Sequence, residues 1–372
     1  NGTPCLGIRG VDAASLTGAE YCPLAATAHV AQRLIERPAT SACENKSMNI
    51  VCCRTFGPPQ NLERIEIDAP VPGANEVLVH VSAAGVGFVD GLMVQGLYQV
   101  KPPLPYFPGS EFAGVVAQIG YDVKDIAVGD QVLGVANNGA FADQLTIASH
   151  KLVKIPDNLS IDVAAGFYIN YATALYGLRD CGQLQVGENV LILGAAGGVG
   201  SSAICVAKAM GATVIAAAST LEKRQAALSF GADHCVDYTD LNWRQELKAL
   251  TGEQGLNVVY DPVGGDKAEA AFRSLAPGGR FLVVGFAAGE IPKIPLNLAL
   301  LKRSAIVGVD WGGEMRANPA INQSLMKTLM EWISDGKLKP APVQSRPMSD
   351  YQHGLIDQLA GRIVGKLVLT NA

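Results

Sequence analysis

Four glycines within seven residues, Gly194, Gly197, Gly198 and Gly200, interrupt one of the most apolar stretches of the chain. Before them runs Val190-Leu191-Ile192-Leu193. After them helical spacing continues through Met210, and a second apolar run extends from Thr213 to Ala218. The order is strand, tight turn, helix, strand: one βαβ unit with a glycine-rich first turn. Such a turn lets a ligand approach the backbone, and the helix behind it aims free N–H groups and a partial positive charge at a phosphate. Ala195 to Gly200 reads as a dinucleotide fingerprint with alanine at the first glycine position. The run Val190 to Ala207 holds 18 residues without a charge, the length of a short membrane span. Its glycines and serines, and the β-branched residues that return after it, argue against a span. A βαβ crossover without a ligand is the other bland reading.

Composition bounds the rest. The 372 residues suggest two domains or one large one. Hydrophobic residues make up 49% and charged residues 17%, enough to bury a large core. A net charge of −5, without a long basic patch, argues against nucleic acid as a partner. Of the eight cysteines none forms a C-x-x-C pair, and several sit inside apolar runs. Small buried hydrophobes in a reducing compartment fit them better than a disulfide framework.

Residues 1–47 differ in character from the rest of the chain, and they are read as an extension. Their mixture of Asp12, Glu20, Glu36 and Glu44 with Arg9, Arg33, Arg37 and Lys46 fits neither a transit peptide nor a secretory signal. Ala25 to Glu36 has the spacing of a short amphipathic helix. From Met48 the pattern is all-β: short apolar or alternating runs at Ile50–Arg54, Leu62–Ile67, Glu76–Ala83, Ser110–Ile119, Gln131–Val135 and Ala140–Thr146, divided by Gly and Pro turns. Helix begins near Ile161. Beyond the glycine turn, helices and strands alternate to Ala305–Val309, the signature of a doubly wound parallel sheet. A helix over Ile321–Asp335, another over Tyr351–Gly361 and a strand at Lys366–Leu369 close the chain.

Six motifs in fixed order carry a family resemblance: Ala84–Asp90, Pro108–Gly114, Val128–Val132, Ala195–Gly200, Asp261–Gly265 and Gly361–Lys366. From Met48 onward the chain resembles the medium-chain dehydrogenase/reductase superfamily, in its zinc-free quinone oxidoreductase (zeta-crystallin-like) branch. The resemblance implies an α/β protein. A GroES-like β-barrel domain (residues 48–165 and 314–372) would flank a Rossmann dinucleotide-binding domain (166–313), with the active site in the cleft. Zinc-dependent relatives would place ligands near Gly87 and at Ser110, where this chain has neither Cys nor His. Zinc needs three or four converging N, S or carboxylate ligands, so no metal is expected.

The cofactor is read from the second strand's end. NAD-specific folds place an acid there for the ribose hydroxyls. Here the position is Ser219, with Thr220, Lys223 and Arg224 beside it, and hydroxyls and cations suit a 2′-phosphate. The expected cofactor is NADPH. Arg224 reads equally as a solvated helix charge. Through the resemblance, Ser219, Lys223 and Tyr238 line the adenosine-phosphate pocket, and Ala196, Gly197, Gly198 and Val199 form the phosphate turn. Thr173, Gly265, Val284, Gly285, Phe286, Val309, Asp310 and Trp311 run along the nicotinamide half, and Lys366 is a further contact.

Hydride transfer to an electron-poor quinone or α,β-unsaturated carbonyl needs no metal. It needs orientation, an apolar slot and a proton donor. Tyr98 and Asp90 lie after the third strand. Related enoyl thioester reductases use a tyrosine in a similar setting as proton donor, so Tyr98 and Asp90 are the expected catalytic residues. Glycine at 87, where many relatives carry asparagine, makes the pocket roomier. Phe286 and Trp311 are candidates for an apolar wall, or for plain core. The expected function is NADPH-dependent reduction of quinones or enones. An enoyl-CoA reductase and a non-enzymatic, crystallin-like NADPH-binding protein are the alternatives. A cytoplasmic homodimer joined through Ala305–Val309, with a small-molecule substrate and no membrane or nucleic-acid partner, completes the reading.

Overall fold

The computed structural model describes residues 47–371. Residues 1–46 lie outside it, and with them the expected helix at Ala25–Glu36 and Cys5, Cys22 and Cys43. Two large sheets and one two-stranded sheet organise the described residues. The early strands supply the small sheet and most of the first large one. β1 (Ser47–Cys52) and β2 (Glu63–Asp68) form an antiparallel pair. β3 (Glu76–Val86), β4 (Glu111–Ile119), β5 (Gln131–Val135), β6 (Gln144–Ala148) and β7 (Leu152–Lys154) build an antiparallel sheet around β3. Val77, Val79 and Val81 face one core with Phe112, Val116, Val132 and Leu145, as a period of two requires.

The end of the chain completes this sheet. β15 (Lys366–Thr370) pairs antiparallel with β3, from Leu367 opposite Val86 to Thr370 opposite Ala83, and parallel with β14 (Val343–Pro347). The tail therefore returns to the early strands, as a bipartite fold demands.

The second sheet is parallel throughout. Its strands are β8 (Asn189–Leu193), β9 (Thr213–Ala218), β10 (His234–Asp237), β11 (Leu256–Asp261), β12 (Leu275–Val283) and β13 (Ala305–Gly308). They stand in the order β10-β9-β8-β11-β12-β13. This is the doubly wound order, with its switch point between β8 and β11. The unbroken apolar run of β8 now has a cause. Val190 and Ile192 pack into the core on one face, and Leu191 and Leu193 into the core on the other. Strands covered by helices on both sides need no polar face. No helix of the described residues is long and apolar enough to cross a membrane.

Several elements depart from the sequence reading. Phe88–Val94, to which the sequence pattern assigns no element, is a helix. Leu296–Lys302 and Trp311–Ala317 are further short helices. The entry to the parallel sheet is an α-helix, Tyr168–Leu175, that widens into a π-helical stretch at Tyr176–Cys181. The strand expected at Ala140–Thr146 starts later, at Gln144.

Candidate active site

The glycine turn joins β8 to the helix Gly198–Ala209. Gly194 carries the left-handed backbone (φ +57°), a conformation that suits glycine. The alanine at Ala195 is therefore no defect: the demanding position lies one residue earlier, and Ala195 itself is buried. Gly197 precedes the helix and accepts no side-chain cap, which leaves its first amides free for a ligand. A Cβ on Gly200 would lie 2.3 Å from the Gly194 carbonyl oxygen, so any side chain there forces the helix off the turn. The tail seals the other side, where the Gly365 amide donates to the Ala196 carbonyl at 2.7 Å.

At the end of β9 the candidate phosphate pocket sorts its two cations. Thr220 caps the helix Leu221–Ser229 by accepting from the Lys223 amide (3.2 Å). Lys223 Nζ donates to the Gly361 carbonyl on the returning tail at 2.9 Å. Arg224 turns the other way, onto Asp237 at 2.6 Å, so it neutralises the one carboxylate at the end of β10. Ser219 and Tyr238 are half-buried at the ends of β9 and β10.

The switch-point loop opposite is held by Asp261 at the end of β11. Its buried Oδ1 accepts from the amides of Val263 (2.8 Å) and Gly264 (2.9 Å), and burial pushes its carboxyl up. Gly264 and Gly265 both take positive φ. The Val284 amide donates to the Asp261 carbonyl and the Val309 amide to Val283, each at 2.9 Å. These bonds bring Gly265, Val284, Gly285 and Val309 to one end of the sheet. Asp310 caps the next helix by accepting from Gly313 (2.8 Å). The two expected wall aromatics separate: Trp311 is buried in the core against Tyr168, whereas Phe286 is 40% exposed. The Thr173 hydroxyl donates back to Ile169 at 2.7 Å.

On the barrel side a polar box is buried. Asp90 sits in the first turn of the helix Phe88–Val94. Its Oδ2 accepts from the Gly87 amide (2.8 Å) and its Oδ1 from the Ser110 hydroxyl (3.0 Å). Burial pushes Asp90 up to about 6, against the lowering effects of the Gly87 amide, the Lys366 cation and Ser110. Next to Ser110, Glu111 pairs with Lys366 Nζ at 2.6 Å, with side chains only 2% and 9% exposed. Its other oxygen accepts from the Ile169 amide at 3.0 Å. One carboxylate thus ties β4, β15 and the helix entering the parallel sheet. Lys366, expected as a cofactor contact, has its ammonium committed to Glu111. Tyr98 stands half-buried just past that helix, beyond the turn at Gly96 (φ +67°). Sequence reasoning missed Ser110 and Glu111 as site residues. An acid directly after a polar residue, inside an apolar strand, was the available signal.

Two family models match the chain: an alcohol dehydrogenase GroES-like domain over residues 73–157 and a zinc-binding dehydrogenase domain over 198–334. A quinone oxidoreductase-like protein 2 of Rattus norvegicus is 35% identical over 329 residues, covering 88% of this chain and 93% of the relative. The chain belongs to the medium-chain dehydrogenase/reductase superfamily, in its quinone oxidoreductase branch. Solved members superpose over most of it. Escherichia coli quinone oxidoreductase, solved with NADPH, has a TM-score of 0.79 at 29% identity over 87% of this chain and all of its own. CurK enoyl reductase has a TM-score of 0.78 at 27% identity over 87% of this chain and 99% of its own.

The name of the second family model raises the question of zinc. Gly87 offers no donor atom, and the Ser110 hydroxyl is spent on Asp90. Glu111 is held by Lys366 and Ile169. Among the described residues no group of three or more His, Cys, Asp or Glu side chains converges as a metal site. The side chains at residues 87, 110 and 111 do not fit a zinc ion.

Proposed function

We propose that this chain is a zinc-free, NADPH-dependent reductase of quinones or α,β-unsaturated carbonyls. The observation that carries the reading is the end of β9: Ser219 and Lys223 stand beside the glycine turn, and Asp237, the acid at the end of the neighbouring strand β10, is neutralised by Arg224. That surface favours a phosphorylated ribose. The NADPH bound to the similar Escherichia coli enzyme supports it.

The glycine turn would hold the diphosphate through Ala196–Val199. Tyr238 would complete the adenosine end, and Thr173, Gly265, Val284–Phe286 and Val309–Trp311 would line the nicotinamide half. Lys366 would contribute through its stem, which packs beside Gly198, since its ammonium is held by Glu111. Bound NADPH supplies the hydride, and the protein orients the acceptor and delivers a proton. Tyr98 is the donor for the α-carbon of an enone, so Tyr98→Phe slows enone reduction. Unchanged enone turnover in that variant would remove the role.

NADPH oxidation measured in parallel with 1,4-benzoquinone, 9,10-phenanthrenequinone and crotonyl-CoA tests the function. Turnover with the quinones is expected. Turnover with crotonyl-CoA alone would favour the enoyl thioester reading, which the likeness to CurK enoyl reductase keeps in view. Tight NADPH binding with no turnover would favour a non-enzymatic role. We also infer a homodimer joined at the sheet edge. Ile306 on β13 and Leu296, Leu300 and Leu301 on the adjoining helix are exposed, and an apolar sheet edge invites pairing. A monomer by light scattering would overturn this. The unpaired thiols of Cys52, Cys53, Cys181, Cys205 and Cys235 support a reducing, cytoplasmic setting.

A further inference from the structure

The polar box beside Gly87 contains more than the fold requires, and its use rests on the reductase reading above. Ser110 is half-buried just before β4, one residue ahead of the carboxylate that ties β4 to β15 and to the helix entering the parallel sheet. Its hydroxyl is aimed at Asp90, which is 3% exposed. Four further groups face that carboxyl: the Gly87 amide, Lys366 from β15, Glu111 from β4 and the Tyr106 phenol from the preceding loop. The Tyr106 hydroxyl is fully buried and has no hydrogen-bond partner among the described residues. Burial first, then the Asp90 charge, pushes that phenol far up, so it stays neutral. On the remaining side Gly87 leaves room. Past Asp90, the next atom that a Cβ there would meet is the Val89 nitrogen, at 3.9 Å.

A buried carboxyl held by a single amide and a single hydroxyl, with the serine that carries that hydroxyl only half-buried, is a proton store with one outlet. We propose that Ser110 is the catalytic residue that protonates the oxygen of a quinone acceptor, with Asp90 as the positioning residue that orients and recharges its hydroxyl. Once the quinone has received its hydride, one of its oxygens carries the negative charge. As a carboxylate Asp90 accepts the Ser110 O–H; once neutral, its own O–H turns to Ser110 Oγ, and the freed Ser110 O–H bond breaks as the hydroquinone O–H bond forms. The proton of the neutral Asp90 carboxyl passes to Ser110 Oγ and leaves a carboxylate, and a solvent proton restores the acid. Quinone, hydride and one proton give hydroquinone, and no further reactant is needed.

The acid form of Asp90 does the work, so kcat with 1,4-benzoquinone falls as pH rises through about 6. Ser110→Ala lowers kcat roughly 100-fold, abolishes that pH limb and removes the solvent deuterium isotope effect. Ser110→Thr, which keeps a hydroxyl, restores most of the rate. A second readout needs no turnover: the carboxylic C=O infrared band of Asp90, assigned with Asp90→Asn, is followed against pH in the cofactor-free protein. The Ser110 hydrogen bond lowers the Asp90 value, so Ser110→Ala moves the midpoint of that band upward. Ser110→Ala with the parent's quinone kcat and isotope effect, or an unmoved infrared midpoint, overturns the relay and leaves the reductase reading intact. A parent protein that reduces no quinone overturns both.

Discussion

The turn after β8 and the box beside Gly87 lie at two ends of the proposed site and use opposite means. At the turn the chain keeps side chains out. Gly194 takes a left-handed backbone, Gly200 has no space for a Cβ, and Gly365 closes on Ala196 through main-chain atoms alone. At the box the chain buries side chains that carry charge: Asp90, Glu111 and Lys366. Backbone amides serve a ligand whose charge is fixed, because they need no proton and no partner. A site that must deliver a proton needs titratable groups, and it accepts their burial cost.

The largest effect that should break this contrast is at Lys366. Lys366→Met leaves the Glu111 carboxylate buried without its cation, a change that costs about 3–5 kcal/mol in buried pairs. Urea unfolding should show that loss, and the double variant Lys366→Met/Glu111→Gln should recover much of it. A loss under about 1 kcal/mol would mean that solvent reaches the pair and that the box is not a buried charge cluster.

A smaller effect sharpens the contrast through pH. The Asp90 value is about 6 in the folded chain against an ordinary 3.8. Its raised value means that the folded state binds the proton more tightly. Stability from this group is therefore fully present below about pH 4, is lost as pH rises towards 6, and stays lost above it. The full span is up to roughly 3 kcal/mol. Asp90→Asn retains an acceptor oxygen and cannot ionise. Its melting temperature relative to the parent should climb between pH 4.5 and pH 7.5, as calorimetry can measure. The difference between the two proteins cancels the opposite slopes of groups held low, such as Asp143 and Glu188. A difference that does not change with pH would show that Asp90 is hydrated.

The same contrast explains what the sequence makes legible. The parallel sheet, its order and its turn rest on local patterns, because β8 and β9 are apolar on two faces and glycines sit where φ or close packing demands them. The box rests on contacts between residues far apart in the chain. Ser110 reaches Asp90, Glu111 reaches Ile169, and Lys366 comes from the last strand. No spacing rule joins them. The helix Phe88–Val94 escaped for a related reason. Gly91 in its middle argues against helix, but a Cβ there would lie 2.7 Å from Leu359 on a distant helix. That glycine answers to a neighbour, not to its own segment. Arg224 likewise could not be separated from Lys223 by sequence, since Asp237 holds it from another strand.

The smallest predicted change tests the fixed-charge end of the site. Among the described residues Lys223 Nζ donates to the Gly361 carbonyl alone, at the protein surface, so Lys223→Ala should leave stability nearly unchanged. A hydrogen bond from a cation to a charged group contributes about 1.5–3 kcal/mol, which corresponds to roughly a 10- to 100-fold weaker NADPH affinity. NADH lacks the 2′-phosphate and should bind the variant and the parent alike. Titration calorimetry with both nucleotides separates these outcomes. Raising the salt should shrink the NADPH difference, because an exposed cation is screened. Equal loss of both nucleotides would instead assign Lys223 to the helix and the returning tail, and the choice of cofactor would then rest on Ser219 and Tyr238.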